Sequence, residues 1–220
     1  MQELFEAIKN DDSAAVAAIV DVHPEAVDSR NENNLPAVLV AHYYGRADLA
    51  QMLLEKGAQT DVFAASALGL RERTIELLDA DRTLVDAYSP DGWTPLHLAA
   101  FFGHKDVAEA LLERSAKVHA VSLNAMRNTP LHAAVARSRA EVAALLISRG
   151  ADVNAQQQGG WTPLHAAAAN GREDLVRTLL AHGAKAFAQA ENSQTPLDMA
   201  LTKGHSGVVR ILEEAQDRNQ

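Results

Sequence analysis

Apolar residues along the chain fall in short runs that come in twos. Leu4, Phe5 and Ile8 are answered by Val16 and Ile19, and Phe63-Ala64-Ala65-Ser66-Ala67-Leu68-Gly69 is answered by Ile75, Leu77 and Leu78. Val107, Leu111 and Leu112 mark the apolar face of another second run, and pairs of the same kind return at Leu146-Ile147, Leu179-Leu180 and Ile211-Leu212. Apolar residues recurring at helical spacing predict short amphipathic helices, two to a unit. A pair that small cannot bury its apolar face alone, so it must stack on its neighbours. The rhythm predicts seven such helix pairs.

A motif is laid over this rhythm. Thr94-Pro95-Leu96-His97-Leu98-Ala99-Ala100 is followed by Thr129-Pro130-Leu131-His132-Ala133-Ala134, by Thr162-Pro163-Leu164-His165-Ala166-Ala167 and by Thr195-Pro196-Leu197-Asp198-Met199-Ala200, with prolines 35, 33 and 33 residues apart. Threonine caps a helix by accepting a backbone N–H bond, and proline fits the first turn, where its missing N–H costs nothing. The alanines let a second helix approach. Gly103, Gly171 and Gly204 end the first helix. They precede His104, Arg172 and His205, whereas the corresponding pair at 138–139 is Ser138-Arg139.

Four copies in register resemble the ankyrin repeat, with its 33-residue period and its T-P-L-H-x-A signature. The resemblance implies an all-α fold: an ankyrin-repeat α-solenoid of about seven helix pairs with short hairpin-like finger loops, in one domain over 1–220. The units run 1–28 (N-terminal cap), 29–60, 61–86 (truncated), 87–121, 122–155, 156–188 and 189–216 (C-terminal cap), with a tail at 217–220. Pro36 stands where threonine is usual, leaving Asn33 or Asn34 as the cap. Pro36 and Pro95 lie 59 residues apart, short of two periods. The third unit is therefore truncated and its finger nearly absent. Phe5 to Val27-Asp28 and Phe63 to Val85-Asp86 share one spacing. Terminal units should carry polar outer faces. Asp198 in the histidine slot fits such a cap, and the charged stretch 213–220 is expected to fray.

The resemblance also assigns roles. His97, His132 and His165, with Thr94, Thr129, Thr162 and Thr195 at the helix starts, are implied to bond backbone groups of adjoining loops and to knit repeats together. Partners of the family bind through the fingers and the concave face of the first helices. In this register those positions include Tyr43 and Tyr44; Pro90, Asp91, Trp93, Phe101 and Phe102; Met126 and Arg137; and Trp161 and Asn170. Six of the ten aromatic residues fall there. They read as interface anchors, against the alternative that such aromatics pad contacts between repeats. Arg127, Arg137 and Arg139 form a possible basic spot, read as a partner contact or as drift on an exposed loop.

Composition narrows the function. There is no cysteine, so disulfides, zinc–thiolate sites and catalytic thiols are excluded. The net charge of −9 lies wholly in residues 1–87, with 7 Lys/Arg against 16 Asp/Glu, while 88–220 hold 13 of each. That distribution disfavours nucleic acid, which needs clustered basic residues, and permits a basic partner. No apolar run spans a bilayer, and the acidic N-terminus has no signal-peptide pattern. A cytoplasmic monomer without cofactor or metal is expected. Histidines one per repeat stand too far apart to share a metal, and no catalytic motif occurs. The reading is a non-enzymatic module that binds another protein. The alternative is a regulatory subunit or inhibitor of a partner enzyme, and the remote alternative is a metal-binding or catalytic protein.

Overall fold

A computed structural model describes residues 2–217. The described residues form seven helix pairs. They are α1 (Gln2–Lys9) with α2 (Ser13–Val22), α3 (Ala37–Tyr43) with α4 (Ala47–Glu55), α5 (Val62–Ala67) with α6 (Arg71–Ala80), and α7 (Pro95–Phe102) with α8 (Lys105–Glu113). They continue as α9 (Pro130–Ala136) with α10 (Ala140–Ser148), α11 (Pro163–Ala169) with α12 (Glu173–Ala181), and α13 (Pro196–Lys203) with α14 (Ser206–Asp217). The first helices touch in series from α1 to α13, and the second helices do so from α6 to α14, giving two layers. None is long and apolar enough to cross a membrane, among the described residues.

Leucine fills the space between layers. Leu96, Leu131 and Leu164 from first helices, and Leu111, Leu146 and Leu179 from second helices, are fully buried. At roughly 2 kcal/mol per buried leucine, this repeated contact is the main favourable term. Buried alanines such as Ala99, Ala100, Ala134 and Ala167 keep the first helices close. The core has two parts, one over the first units and one from α5 onward, and Phe63 and Trp93 pack on both.

The helix starts follow the motif. Thr94, Thr129, Thr162 and Thr195 are N-caps with proline in the first turn. At α3 the expectation of an asparagine cap fails. Pro36 is the N-cap, without a side-chain bond. Asn31 instead accepts bonds from the backbone N–H of Asn33 (3.0 Å) and Leu35 (2.9 Å), so the short polar side chain there holds a turn rather than a helix end. Only six residues, 56–61, join α4 to α5, and Asp61 caps α5 directly through the N–H of Ala64. The shared spacing noted in sequence has a structural counterpart. After α2 and after α6 the chain makes a 3-10 turn, Pro24–Asp28 and Arg82–Asp86. In these turns Asp28 accepts from the N–H of Gln59 (2.7 Å) and Asp86 from the N–H of Lys117 (2.9 Å), each in the next unit.

Two expectations about the ends are corrected. Residues 213–217 do not fray but complete α14, because Ala215 continues the buried face of Leu212 and Gln216 reaches the Ala186 carbonyl (3.4 Å). Residues 218–220 of the expected tail lie outside the described residues. The outer face of the first unit is polar on α1, but α2 exposes Ala14, Ala18 and Val22. Alanine presents so little apolar area that most of that face costs little in water.

Candidate docking face

The fingers are tight loops, each closed by a backbone bond across its base: Asn31 N to Leu35 O (3.0 Å), Ser89 N to Trp93 O (2.8 Å), Ser122 N to Asn128 O (2.8 Å), Gln157 N to Trp161 O (2.9 Å) and Ala190 N to Gln194 O (3.0 Å). Successive fingers from the second onward are also tied to each other. Leu123 N donates to Gly92 O, Gln158 N to Met126 O and Glu191 N to Gly159 O, each at 2.9 Å. The short link 56–61 leaves no such finger ahead of α5. The row is interrupted between 31–35 and 89–93.

Below the fingers runs a histidine ladder. In His97, Nδ1 accepts from the Thr94 N–H (3.3 Å) and lies 2.8 Å from the Thr94 hydroxyl, while Nε2 faces the carbonyl of Asn128 (3.0 Å) in the next finger. His132 repeats this with Thr129 and the Trp161 carbonyl (3.1 Å), and His165 with Thr162 and the Gln194 carbonyl (3.1 Å). A carbonyl only accepts, so Nε2 carries the proton; a backbone N–H only donates, so Nδ1 is bare. Each ring is therefore neutral. Burial lowers the pKa of His97 and His132 to about 4 and pushes His165 in the same direction. In the last unit Asp198 takes the Thr195 N–H (2.8 Å) and hydroxyl (2.7 Å). An acceptor-only carboxylate thus makes the near half of the ladder at this unit.

From α7 onward a second ladder ties the residue after each helix-ending turn to the preceding unit. His104 reaches the Ala67 carbonyl (2.8 Å), Arg139 that of Phe101 (3.2 Å), Arg172 that of Ser138 (2.8 Å) and His205 that of Ala169 (3.1 Å). This corrects the reading of Arg139 as partner contact or drift: it does the work of the histidine it replaces, and Ser138 takes the left-handed turn at φ 58°. From residue types alone the four positions share a slot but not a visible common acceptor, because histidine and arginine share only the ability to donate a hydrogen bond at long reach. Glycine is favoured at 103, where φ is 92° and a Cβ would stand 2.7 Å from the Arg139 side chain.

The interruption in the finger row opens a cleft of about 280 Å³ lined by Tyr43, Asp91, Trp93, Leu98, Phe101 and Phe102. Tyr43 and Phe102 stack at 5.8 Å with planes 16° apart, Phe101 stands at 77° to Phe102, and Trp93 stands at 85° to Phe101. His42 packs on Phe102 at 4.2 Å. The Tyr43 hydroxyl donates to Asp91 across the gap (2.8 Å), and burial together with the Asp91 charge drives its pKa well above the ordinary tyrosine value. Asp91 also accepts from the Ser89 hydroxyl. The Arg137 guanidinium lies 4.9 Å from the Phe101 centroid, outside the lining of the cleft.

Four of the anticipated residues, Tyr43, Trp93, Phe101 and Phe102, thus come together, with Arg137 beside them. The others do not join the cleft. Tyr44 lines a separate hollow near Phe5, Lys9 and Glu32. Met126 is exposed on its finger beside Leu123. Trp161 stands edge-on to His165 at 5.3 Å, as Trp93 does to His97 at 5.6 Å. Asn170 donates to the Ala136 carbonyl (3.1 Å) in the preceding unit. Asp91 was legible only as a variable finger position, and Leu123, exposed at 70 %, lies too far from the Thr-Pro step to be counted. Among the described residues, no group of His, Asp or Glu is placed to hold a metal ion.

Stacked helix pairs joined by bonded fingers, with carbonyl ladders between units, define a repeat solenoid. The family model for ankyrin repeats (3 copies) matches residues 62–157 and 150–220, and the chain belongs to the ankyrin-repeat family. It is similar to the glycerophosphocholine phosphodiesterase GDE1 of Candida albicans, 29% identical over 116 residues, which is 48% of this chain and 10% of that protein. Mouse (Mus musculus) oxysterol-binding protein-related protein 1 is 61% identical over 31 residues, 14% of this chain and 3% of that protein. Human (Homo sapiens) ankyrin repeat domain-containing protein 49 is 43% identical over 47 residues, 21% of this chain and 20% of that protein. The chain thus spans a fifth or less of the length of these relatives.

Proposed function

We propose that this chain is a non-catalytic docking module that binds another protein along the face running from Tyr43 past the fingers to Met126. Ankyrin repeats are general protein–protein interaction modules, and this face has what such an interface needs. The observation that carries the reading is the open cleft walled by Tyr43, Trp93, Phe101 and Phe102, where a finger is missing. Interfaces are anchored by a few aromatic residues set in pockets. Leu123 and Met126 extend the apolar surface along the next finger. The carbonyl ladders keep the units in fixed register, so the face is presented ready-formed.

The test is affinity capture from the native cell with wild-type protein and with Trp93→Ala, Phe101→Ala and Phe102→Ala, each checked for folding by circular dichroism. Arg177→Ala, on an exposed position of α12, is the control. A protein recovered by wild type and control but lost by the folded cleft variants supports the reading. Equal recovery by all of them rejects this face.

A further inference from the structure

We propose that the aromatic cleft receives one cationic side chain, an arginine or lysine of the docked protein, with Asp91 as its counter-charge; this rests on the docking reading above and names the chemistry of the partner. Three observations converge. First, the rings form a box rather than a flat patch: Tyr43 lies parallel to Phe102, Phe101 nearly perpendicular to Phe102, and Trp93 nearly perpendicular to Phe101. Ring faces carry negative charge density, so a ring face that lines the cleft attracts a cation. Second, the ring cluster already takes a guanidinium from within the chain, since Arg137 sits over Phe101 at 4.9 Å. Third, a carboxylate stands in the wall. Asp91 accepts hydrogen bonds from Tyr43 and Ser89 but forms no ion pair among the described residues.

An uncharged occupant would leave that carboxylate facing an apolar group, an arrangement with a desolvation cost. A cation answers both the rings and the acid. Charge over a longer range agrees: residues 1–87, on the other side of the cleft from the fingers that follow, hold 7 Lys/Arg against 16 Asp/Glu. That excess draws a basic segment toward this end of the solenoid and speeds encounter. The cleft, at about 280 Å³, admits one long side chain and not a folded element.

The probe is N-acetyl-arginine N-methylamide, with the citrulline compound as its neutral counterpart. Each is titrated into the Trp161→Phe protein, whose only indole is then Trp93, and followed by nuclear magnetic resonance. The expected result is a saturable shift of the Trp93 indole N–H at millimolar arginine compound, at least about fivefold tighter than citrulline, and weakened by about that factor in Asp91→Asn. Asparagine preserves an acceptor for Tyr43, so the variant removes charge while keeping the wall. Equal shifts from both compounds, or none from either, overturn the proposal. The partner captured by wild type separates the two readings. Loss on Phe102→Ala with full recovery by Asp91→Asn leaves the docking face standing and removes the cationic side chain from it. Recovery by every cleft variant, even with arginine compound bound, removes the docking role and with it the proposal.

Discussion

Acidification tests the histidine ladder directly. His97 and His132 have an ordinary pKa of 6.5 and a folded value of about 4, so at pH 5 the unfolded chain binds a proton at each site and the folded chain does not. Unfolding therefore takes up protons, and the stability from these two rings is whole above 6.5 and is lost as pH falls through the window to about 4. At pH 5 that amounts to about 2 kcal/mol for each ring, about 4 kcal/mol together, against a typical total of roughly 5–15 kcal/mol. Geometry gives the same sign: a proton on Nδ1 would face the Thr94 or Thr129 N–H donor and break the near half of the ladder. The assay is urea unfolding followed by circular dichroism at pH 7.5 and pH 5, reading the midpoint of each transition because a solenoid need not melt as one unit. In His97→Gln/His132→Gln the amide can reproduce both bonds without titrating, so the midpoint should fall much less on acidification than in wild type. An identical fall in both proteins refutes the assignment, since the loss would then come from other groups.

Leu131→Ala should lower unfolding free energy by about 2–5 kcal/mol, the range for deleting a fully buried leucine, measured by the same denaturation. Gly103→Ala should destabilise by more than Gly57→Ala. Both sites have positive φ, which costs alanine about 1 kcal/mol, but only at 103 does the new Cβ strike Arg139. Arg139→His should retain more stability than Arg139→Ala in thermal melts, because histidine fills the equivalent slot at 104 and 205. Tyr43→Phe, which removes only the bond to Asp91, should cost about 1 kcal/mol and leave the aromatic wall in place, as read by denaturation midpoint.

Most of the fold was legible because repetition converts weak local signals into a strong one. A single Thr-Pro-Leu-His block is a helix start; four at a constant period are an array whose units must bury each other's faces. Even the missing finger was legible, from the shortfall between Pro36 and Pro95. What sequence could not show was what moves into the space. The Tyr43–Asp91 bond joins residues 48 apart across a unit with no finger of its own. The second ladder stayed hidden for a related reason. Histidine at 104 and 205 and arginine at 139 and 172 look like variation until their shared type of acceptor, a carbonyl at or just past the end of the preceding first helix, is seen.

The truncated unit is best understood as the source of the cleft rather than as a flaw in the array. From 89–93 onward each finger is bonded to its neighbour, and the side chains at equivalent depth become packing: Trp161 rests against His165, and Asn170 is committed to the Ala136 carbonyl. At the interruption no neighbouring finger covers the cluster in which Phe102 packs on Tyr43 and His42 and Phe101 packs on Phe102 and Trp93, so a cleft remains there, closed on one side by Tyr43 from α3. The two core clusters also meet there, at Phe63 and Trp93. A cleft over such a seam rests on helices α3, α5 and α7 from three successive units, so its shape depends on how those units stack. The carbonyl ladders, by fixing that stacking, hold the aromatic walls in place, which is how an array built for self-contact can keep one cleft open.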